Sequence, residues 1–257
     1  MNVISDLAYN KSHGEYGLGD LYLPERVTGK TPLALAIHGG GWRSMDKYSF
    51  SGVAEFLCGL GFAVYNINYR LTGEAPWPAC GDDCLEAARF LLSADHPEFA
   101  GTDRGKIFVV GASAGGHLAL MTGLRLPAGQ VSGIVSISGI AKFEPCMKLH
   151  PDRYHALFGT GEPIPEEMFV SASPIEFLNR NNPPILLTHA IYDTLVPIDS
   201  ATEFEDAARD RGGRIESYYY NRRNKGHCIW IKGSDPHKLH PDIEERIERF
   251  ASTLDLI

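Results

Sequence analysis

Short unbroken apolar runs recur along this chain, and each gives way to a stretch whose apolar residues sit at helical spacing. Leu33-Ala34-Leu35-Ala36-Ile37 is one such run, and Ile107-Phe108-Val109-Val110 is another. A strand without polar alternation has to be buried on both faces, which a sheet covered by helices on both sides provides. Runs at Leu18–Leu23, Phe62–Ile67, Val131–Ile137, Ile185–Ala190 and Arg214–Tyr220 extend the series. Helical patterns fall between them, over Lys47–Leu60, Asp82–Leu92, His117–Leu126, Ser200–Arg211 and Ile243–Leu254. The alternation predicts an α/β chain with a mostly parallel central sheet flanked by helices. Residues 140–182 break the rhythm with short pieces and several Pro and Gly, and read as a cap-like insertion over the strand ends. With 257 residues, no internal repeat and no linker-like tract, one domain over 1–257 is expected.

Composition excludes several function classes. Net charge is −8, so the chain offers no basic footprint for nucleic acid or an anionic membrane. The nearest basic run, Arg222-Arg223-Asn224-Lys225, reads as a solvated turn. No apolar run approaches the roughly 20 residues of a membrane helix. Residues Met1–Asp6 carry no basic region leading into an apolar stretch, and a cytoplasmic chain is expected. Five cysteines is an odd number for a disulfide framework. Cys80 and Cys84 share a helix face without a second Cys/His pair at ligand spacing, and read as free thiols rather than a metal site.

The run Ile107–Val110 leads straight into Gly111-Ala112-Ser113-Ala114-Gly115, a G-x-S-x-G pattern, with a helix beginning just beyond. That strand–turn–helix context places a serine on a sharp, strained turn with its hydroxyl exposed above the sheet. Side chains at 111 and 115 would collide with neighbouring elements at so tight a turn. The helix N-terminus adds amide donors and a favourable dipole for negative charge. Ser113 is therefore the candidate nucleophile.

The first long buried run ends in His38-Gly39-Gly40-Gly41-Trp42. Acyl transfer needs N–H donors aimed at an oxygen that becomes anionic, and residues without side chains let the backbone approach it. The candidate donors are the amides of Gly40, Gly41 and Ala114. His38 is expected to brace this loop, because a base ahead of the serine breaks the Ser, Asp/Glu, His chain order of such folds. The same order selects His227, in the loop Asn224-Lys225-Gly226-His227-Cys228, as the base. His117 is expected to face neighbouring structure, His189 lies inside a strand, and His237 and His240 flank the last helix at the surface. Asp193, a short turn beyond the strand Ile185–Ala190, is the candidate acid, with Asp199 as runner-up in a helix-capping position. Trp42 and Trp230 are the candidates for lining the substrate pocket, although they, Trp77 and Phe143 serve equally well as core packing.

Taken together, these blocks resemble the α/β-hydrolase esterases of the hormone-sensitive-lipase-like and acetyl- and feruloyl-esterase-like branches. The resemblance is carried by His38–Trp42, by Asn68-Tyr69-Arg70-Leu71 continuing to Ala75-Pro76-Trp77-Pro78-Ala79, and by Gly111–Ala119. Pro183–His189 with Asp193 and Val196-Pro197, and Gly226-His227, complete it in family order over residues 18–254. It implies two-step hydrolysis of small carboxylic esters by Ser113, His227 and Asp193, with acetylated or feruloylated sugars as candidate substrates, and no metal or organic cofactor. The loop His38–Lys47 is also similar to the oxyanion loop of kynurenine formamidases, which often carry a bulkier residue where Gly41 stands. This makes an N-formyl amide hydrolase the alternative. A third reading, from a different class, is a non-catalytic binding protein on the same scaffold.

Overall fold

The structure is a computed structural model that describes the chain apart from residues 94–95, 148–149, 162, 222–225 and 234, and the side chains of 147 and 236. The basic run Arg222–Lys225 thus lies outside the described residues. Eight strands form the main sheet: β1 (Asn2–Ala8), β2 (Leu18–Leu23), β3 (Thr31–Ile37), β4 (Ala63–Ile67), β5 (Thr102–Ala112), β6 (Val131–Ile137), β7 (Ile185–Ala190) and β8 (Ile215–Tyr220). Their spatial order is β1-β2-β4-β3-β5-β6-β7-β8. The first two pairings are antiparallel and the remaining five parallel.

Successive residues of the central strands enter two separate cores. Leu33, Leu35, Ile37, Ile107 and Val109 pack on one side of the sheet with the helices α2 (Ala79–Ser93) and α3 (Ala114–Arg125). Ala34, Ala36, Phe108 and Val110 pack on the other with α1 (Ser51–Gly59) and α8 (Pro241–Ser252). Both faces are therefore buried, which is why the strand runs show no polar alternation. α7 (Ile198–Asp210) covers the first face beyond β7 through Ala201, Phe204 and Ala208.

The chain leaves β3 toward β4 on one side and, after α2, returns to β5 on the other. The order therefore reverses between β3 and β5, and a crevice forms at their carboxyl ends. Ile37 pairs with Gly111 at that end, so the loops that follow the two strands start side by side.

Four features depart from the expected elements. β1 is an additional strand, paired at the antiparallel edge and interrupted by a register shift near Asp6, which has φ 56°. The Lys47–Leu60 helix opens with a 3₁₀ turn at Lys47–Phe50, capped by the Asp46 carboxylate accepting from the Ser49 amide, before α1 proper. α2 begins at Ala79, three residues early, and its Gly81 lies against the Trp77 ring, where a Cβ would come within 2.7 Å. A short ribbon of β9 (Ile231–Lys232) and β10 (Asp235–Leu239) follows β8. The irregular stretch after β6 contains three short helices, α4 (Phe143–Met147), α5 (Pro151–Phe158) and α6 (Glu166–Ala172), and no long one among the described residues.

Candidate active site

Ser113 sits between β5 and α3 with φ 56° and ψ −121°, outside the regions that L-residues favour. Its amide donates to the Ile137 carbonyl at the end of β6 (2.8 Å), so two adjacent strands hold the turn. The glycines around it are demanded by backbone. A Cβ on Gly111 would lie 2.1 Å from the Gly115 carbonyl oxygen, and one on Gly115 would lie 2.1 Å from that of Ile37 in β3. This close approach brings the N-terminus of α3 against the end of β3.

His227 Nε2 lies 2.7 Å from Ser113 Oγ, and its Nδ1 lies 2.7 Å from Asp193 Oδ2. A carboxylate accepts, so Nδ1 carries the proton and Nε2 is left to accept from the serine hydroxyl. The second Asp193 oxygen, Oδ1, accepts from the amides of Leu195 (2.8 Å) and Val196 (3.0 Å). Burial pushes the Asp193 carboxyl up, but the hydrogen bond and charge of His227, with the Val196 amide, outweigh it and hold the group below the usual carboxylate value. His189, in β7, lies 3.5 Å from Asp193 Oδ2 and donates through Nε2 to the Val196 carbonyl (2.9 Å). Burial holds its imidazole neutral. The Ser138 hydroxyl, at φ 49° just past β6, donates to the His227 carbonyl (3.0 Å) and ties the His227 loop to the sheet. Asp199 is exposed in the first turn of α7, away from this set.

Gly40 has φ 103° and Gly41 φ 61°, and a Cβ on Gly40 would meet the Ser44 carbonyl oxygen at 2.0 Å. The Gly39 carbonyl accepts from His38 Nδ1 (2.7 Å) and from the Tyr69 hydroxyl (3.1 Å). In a trans peptide the N–H opposes the C=O, so pinning this carbonyl turns the Gly40 amide the other way. His38 is stacked on the Tyr69 ring (centroids 4.3 Å apart), and burial lowers its pKa to about 4. It thus braces the loop as a neutral imidazole. Among the described residues, the amides of Gly40, Gly41 and Ala114 donate to no protein acceptor.

A cavity of about 230 Å³ is lined by Gly40, Gly41, Ser113, His227 and Trp230. Trp230 meets the His227 ring edge-on at 5.6 Å. Trp42 is placed otherwise: it is 1% exposed, stacks on Phe143 and does not line the cavity. Its indole N–H donates to His117 Nδ1 (3.2 Å), and His117 Nε2 donates onward to the Ala172 carbonyl (2.7 Å). Trp42 is therefore a packing residue that joins the loop after β3 to α3 and the insertion. His117 faces this neighbouring structure, as expected, with its pKa lowered by burial to about 4. The cavity wall also contains Arg43, Met45, Arg153, Leu195 and Cys228, to which no role is assigned from the sequence. Arg43 and Met45 lie within the formamidase-like loop block, whereas Arg153 sits in the irregular segment, where no motif marks it.

Comparison with known proteins places the chain among esterase-like relatives and folds. Esterase LipC of Mycobacterium tuberculosis is 28% identical over 203 residues, covering 71% of this chain and 49% of that protein. The chain spans about half the length of the first curated relatives it matches. Among solved structures, a truncated carbohydrate esterase from gut microbiota superposes with a TM-score of 0.84 at 20% identity, over 100% of this chain and 97% of that one. An acetyl ester-xyloside bifunctional hydrolase from Caldicellulosiruptor lactoaceticus gives 0.80 at 20% identity, over 98% and 97%. The BD-FAE family model matches residues 19–207, from β2 through most of α7. The chain has the α/β-hydrolase fold and belongs to the BD-FAE family.

Proposed function

We propose that this chain hydrolyses small carboxylic esters through an acyl-enzyme on Ser113. One observation carries the reading: Ser113 Oγ lies 2.7 Å from a histidine nitrogen whose partner nitrogen is held by a buried carboxylate. Ser113 attacks the ester carbonyl as His227 Nε2 takes the hydroxyl proton. The amides of Gly40, Gly41 and Ala114 receive the developing oxyanion. Asp193 stabilises the imidazolium without taking its proton. His227 then protonates the leaving alcohol, and in the second half activates water to release the acid. No step calls for a metal or an organic cofactor.

The acyl part is short. About 230 Å³ is below the roughly 300–1,000 Å³ of pockets that take drug-sized ligands, and the described helices of the insertion run to at most 8 residues. Acetylated and feruloylated sugars are the substrates in view, in line with the names of the carbohydrate-esterase and acetyl-ester-hydrolase neighbours. The ester reading is preferred to the formamide one because the curated relatives are named esterases. In addition, Gly41 at φ 61° strains any bulkier residue of the formamidase type. Against a retired scaffold stands the complete hydrogen-bonded set around Ser113. We place the whole chain in one domain and in the cytoplasm; among the described residues no helix is long and apolar enough to cross a membrane.

The test is a panel of 4-nitrophenyl esters from acetate to laurate with N-formylkynurenine, run beside Ser113→Ala. Turnover of the short esters, lowered on the order of 10⁶-fold by the substitution, is expected. Turnover of the formamide alone moves the reading to an amidase. A folded protein that turns over nothing and is not labelled at Ser113 by a fluorophosphonate sinks the catalytic reading.

A further inference from the structure

We propose that the ester taken by this site carries a carboxylate, bound by Arg153 and Arg43 beside the scissile bond. The inference rests on the ester reading above and narrows its substrate class.

The charge of the cavity wall runs against that of the molecule. The chain has a net charge of −8, yet among the described residues the wall around Ser113 holds two guanidinium groups and no Asp or Glu. Several other half-buried cations are paired with carboxylates, Lys47 with Asp6 and Asp20, Arg70 with Asp83, and Lys142 with Glu144 and Glu203, while Arg246 lies over the Tyr218 ring. Arg43 and Arg153 have no carboxylate partner among the described residues, although Arg153 is half-buried. A partly desolvated guanidinium left without an anion is a ready fork for a planar carboxylate.

Both arginines are held in place by their neighbours in sequence. Arg43 follows Trp42, and Arg153 precedes Tyr154, a residue of α5 that is buried with Leu157 and Phe158. The Trp42 and Tyr154 rings pack on one another with centroids 6.2 Å apart. Contact between the aromatic members brings the charged members to one cavity mouth. Gly41 completes the arrangement. A Cβ there would lie 3.8 Å from Cδ and Nε of Arg153, so the arginine stem runs over the glycine loop that lines the cavity with Ser113.

The experiment uses the whole chain and two matched substrate pairs, each corrected for its uncatalysed rate. Mono-4-nitrophenyl glutarate against 4-nitrophenyl valerate places the carboxylate on the acyl side. 4-Acetoxybenzoate against its methyl ester places it on the leaving-group side. In at least one pair the anionic member is expected to be preferred by about tenfold in kcat/KM, mostly through KM. The preference should shrink as salt is raised. Arg153→Gln and Arg43→Gln should each reduce the anionic-to-neutral ratio severalfold, whereas Arg211→Gln, beyond the cavity, leaves it unchanged. Neutral and anionic members cleaved equally in both pairs would overturn the proposal and leave the ester reading standing. So would a preference that survives both substitutions. Equal losses on charged and neutral esters would overturn it too, since the arginines would then act on the oxyanion. No turnover of any ester, with Ser113 unlabelled by a fluorophosphonate, removes the ester reading and this proposal with it.

Discussion

Ser113 occupies a backbone conformation that costs about 1–3 kcal/mol, and it persists because its amide is held by β6 while α3 is wedged against β3. The strain lifts the hydroxyl clear of the helix it precedes, so the N-terminal amides of α3 stay free of it. The division of labour between His227 and Asp193 is equally local. Asp193 presents one oxygen to two backbone amides and the other to the imidazole, so the carboxylate cannot rotate away from Nδ1. Asp193→Asn keeps the shape and alters the donor pattern, which favours the tautomer protonated on Nε2 and leaves Ser113 without an acceptor. We expect kcat on a short ester to fall on the order of 10⁴-fold with little change in KM. A loss below tenfold, measured by steady-state kinetics, would show that the carboxylate does not set the tautomer.

Between elements, the loop after β4 is fastened to α2 by Arg70 and Asp83. The Arg70 amide and Nε donate to Oδ2, and Nη2 donates to Oδ1 at 2.6 Å, with the carboxylate fully buried. Removing the cation leaves the buried carboxylate with the Arg70 amide and His13, 3.3 Å away, so Arg70→Met should lower stability by about 3 kcal/mol in urea unfolding. A cost under 1 kcal/mol would mean that the pair is screened as at a surface. Elements of this kind were legible where burial was two-sided. Val131–Ile137 and Ile185–Ala190 are legible with their observed bounds because every residue there except Ser132 is buried. β1 was not legible: Ser5 and Asp6 interrupt its apolar residues, and an exposed edge strand has no second face to advertise it. In the site, motifs with a steric or chain-order reason pointed to Ser113, Asp193, His227 and the glycine loop, and the structure brings these residues together. Trp42 could not be resolved between pocket and core, since an indole suits both. Arg153 had no signal at all, because its place beside Gly41 depends on how a non-periodic segment folds back over the strand ends.

At the scale of the molecule, buried neutral histidines make the fold sensitive to acid. His38 and His117 keep pKa values near 4, against an ordinary 6.5, and burial lowers His189 in the same direction. Between those values the unfolded chain binds protons that the folded one does not, so stability rises with pH across that window. It is complete above about pH 6.5 and lost as pH falls toward 4, with about 3 kcal/mol at stake for each of His38 and His117. Asp193 acts the same way at lower pH, since a carboxyl held below 3.8 contributes stability that disappears as that range is crossed downward. Urea midpoints should therefore drop steeply between pH 6.5 and 4.5, and a flat profile would show that these imidazoles take up protons as readily in the fold as in the unfolded chain. The reversal of strand order between β3 and β5 carries a consequence for how the chain reaches this state. Ile37 and Gly111 pair across more than 70 residues of intervening chain, and the glycine loop after β3 meets the Ser113 turn only once that pairing closes. Local helices and hairpins gather early in folding, while so distant a contact waits on loop closure. A collapsed intermediate can thus regain most of its far-UV circular dichroism and remain inert. During refolding, recovery of the proposed ester turnover is then expected to time the central β3–β5 seam rather than helix content.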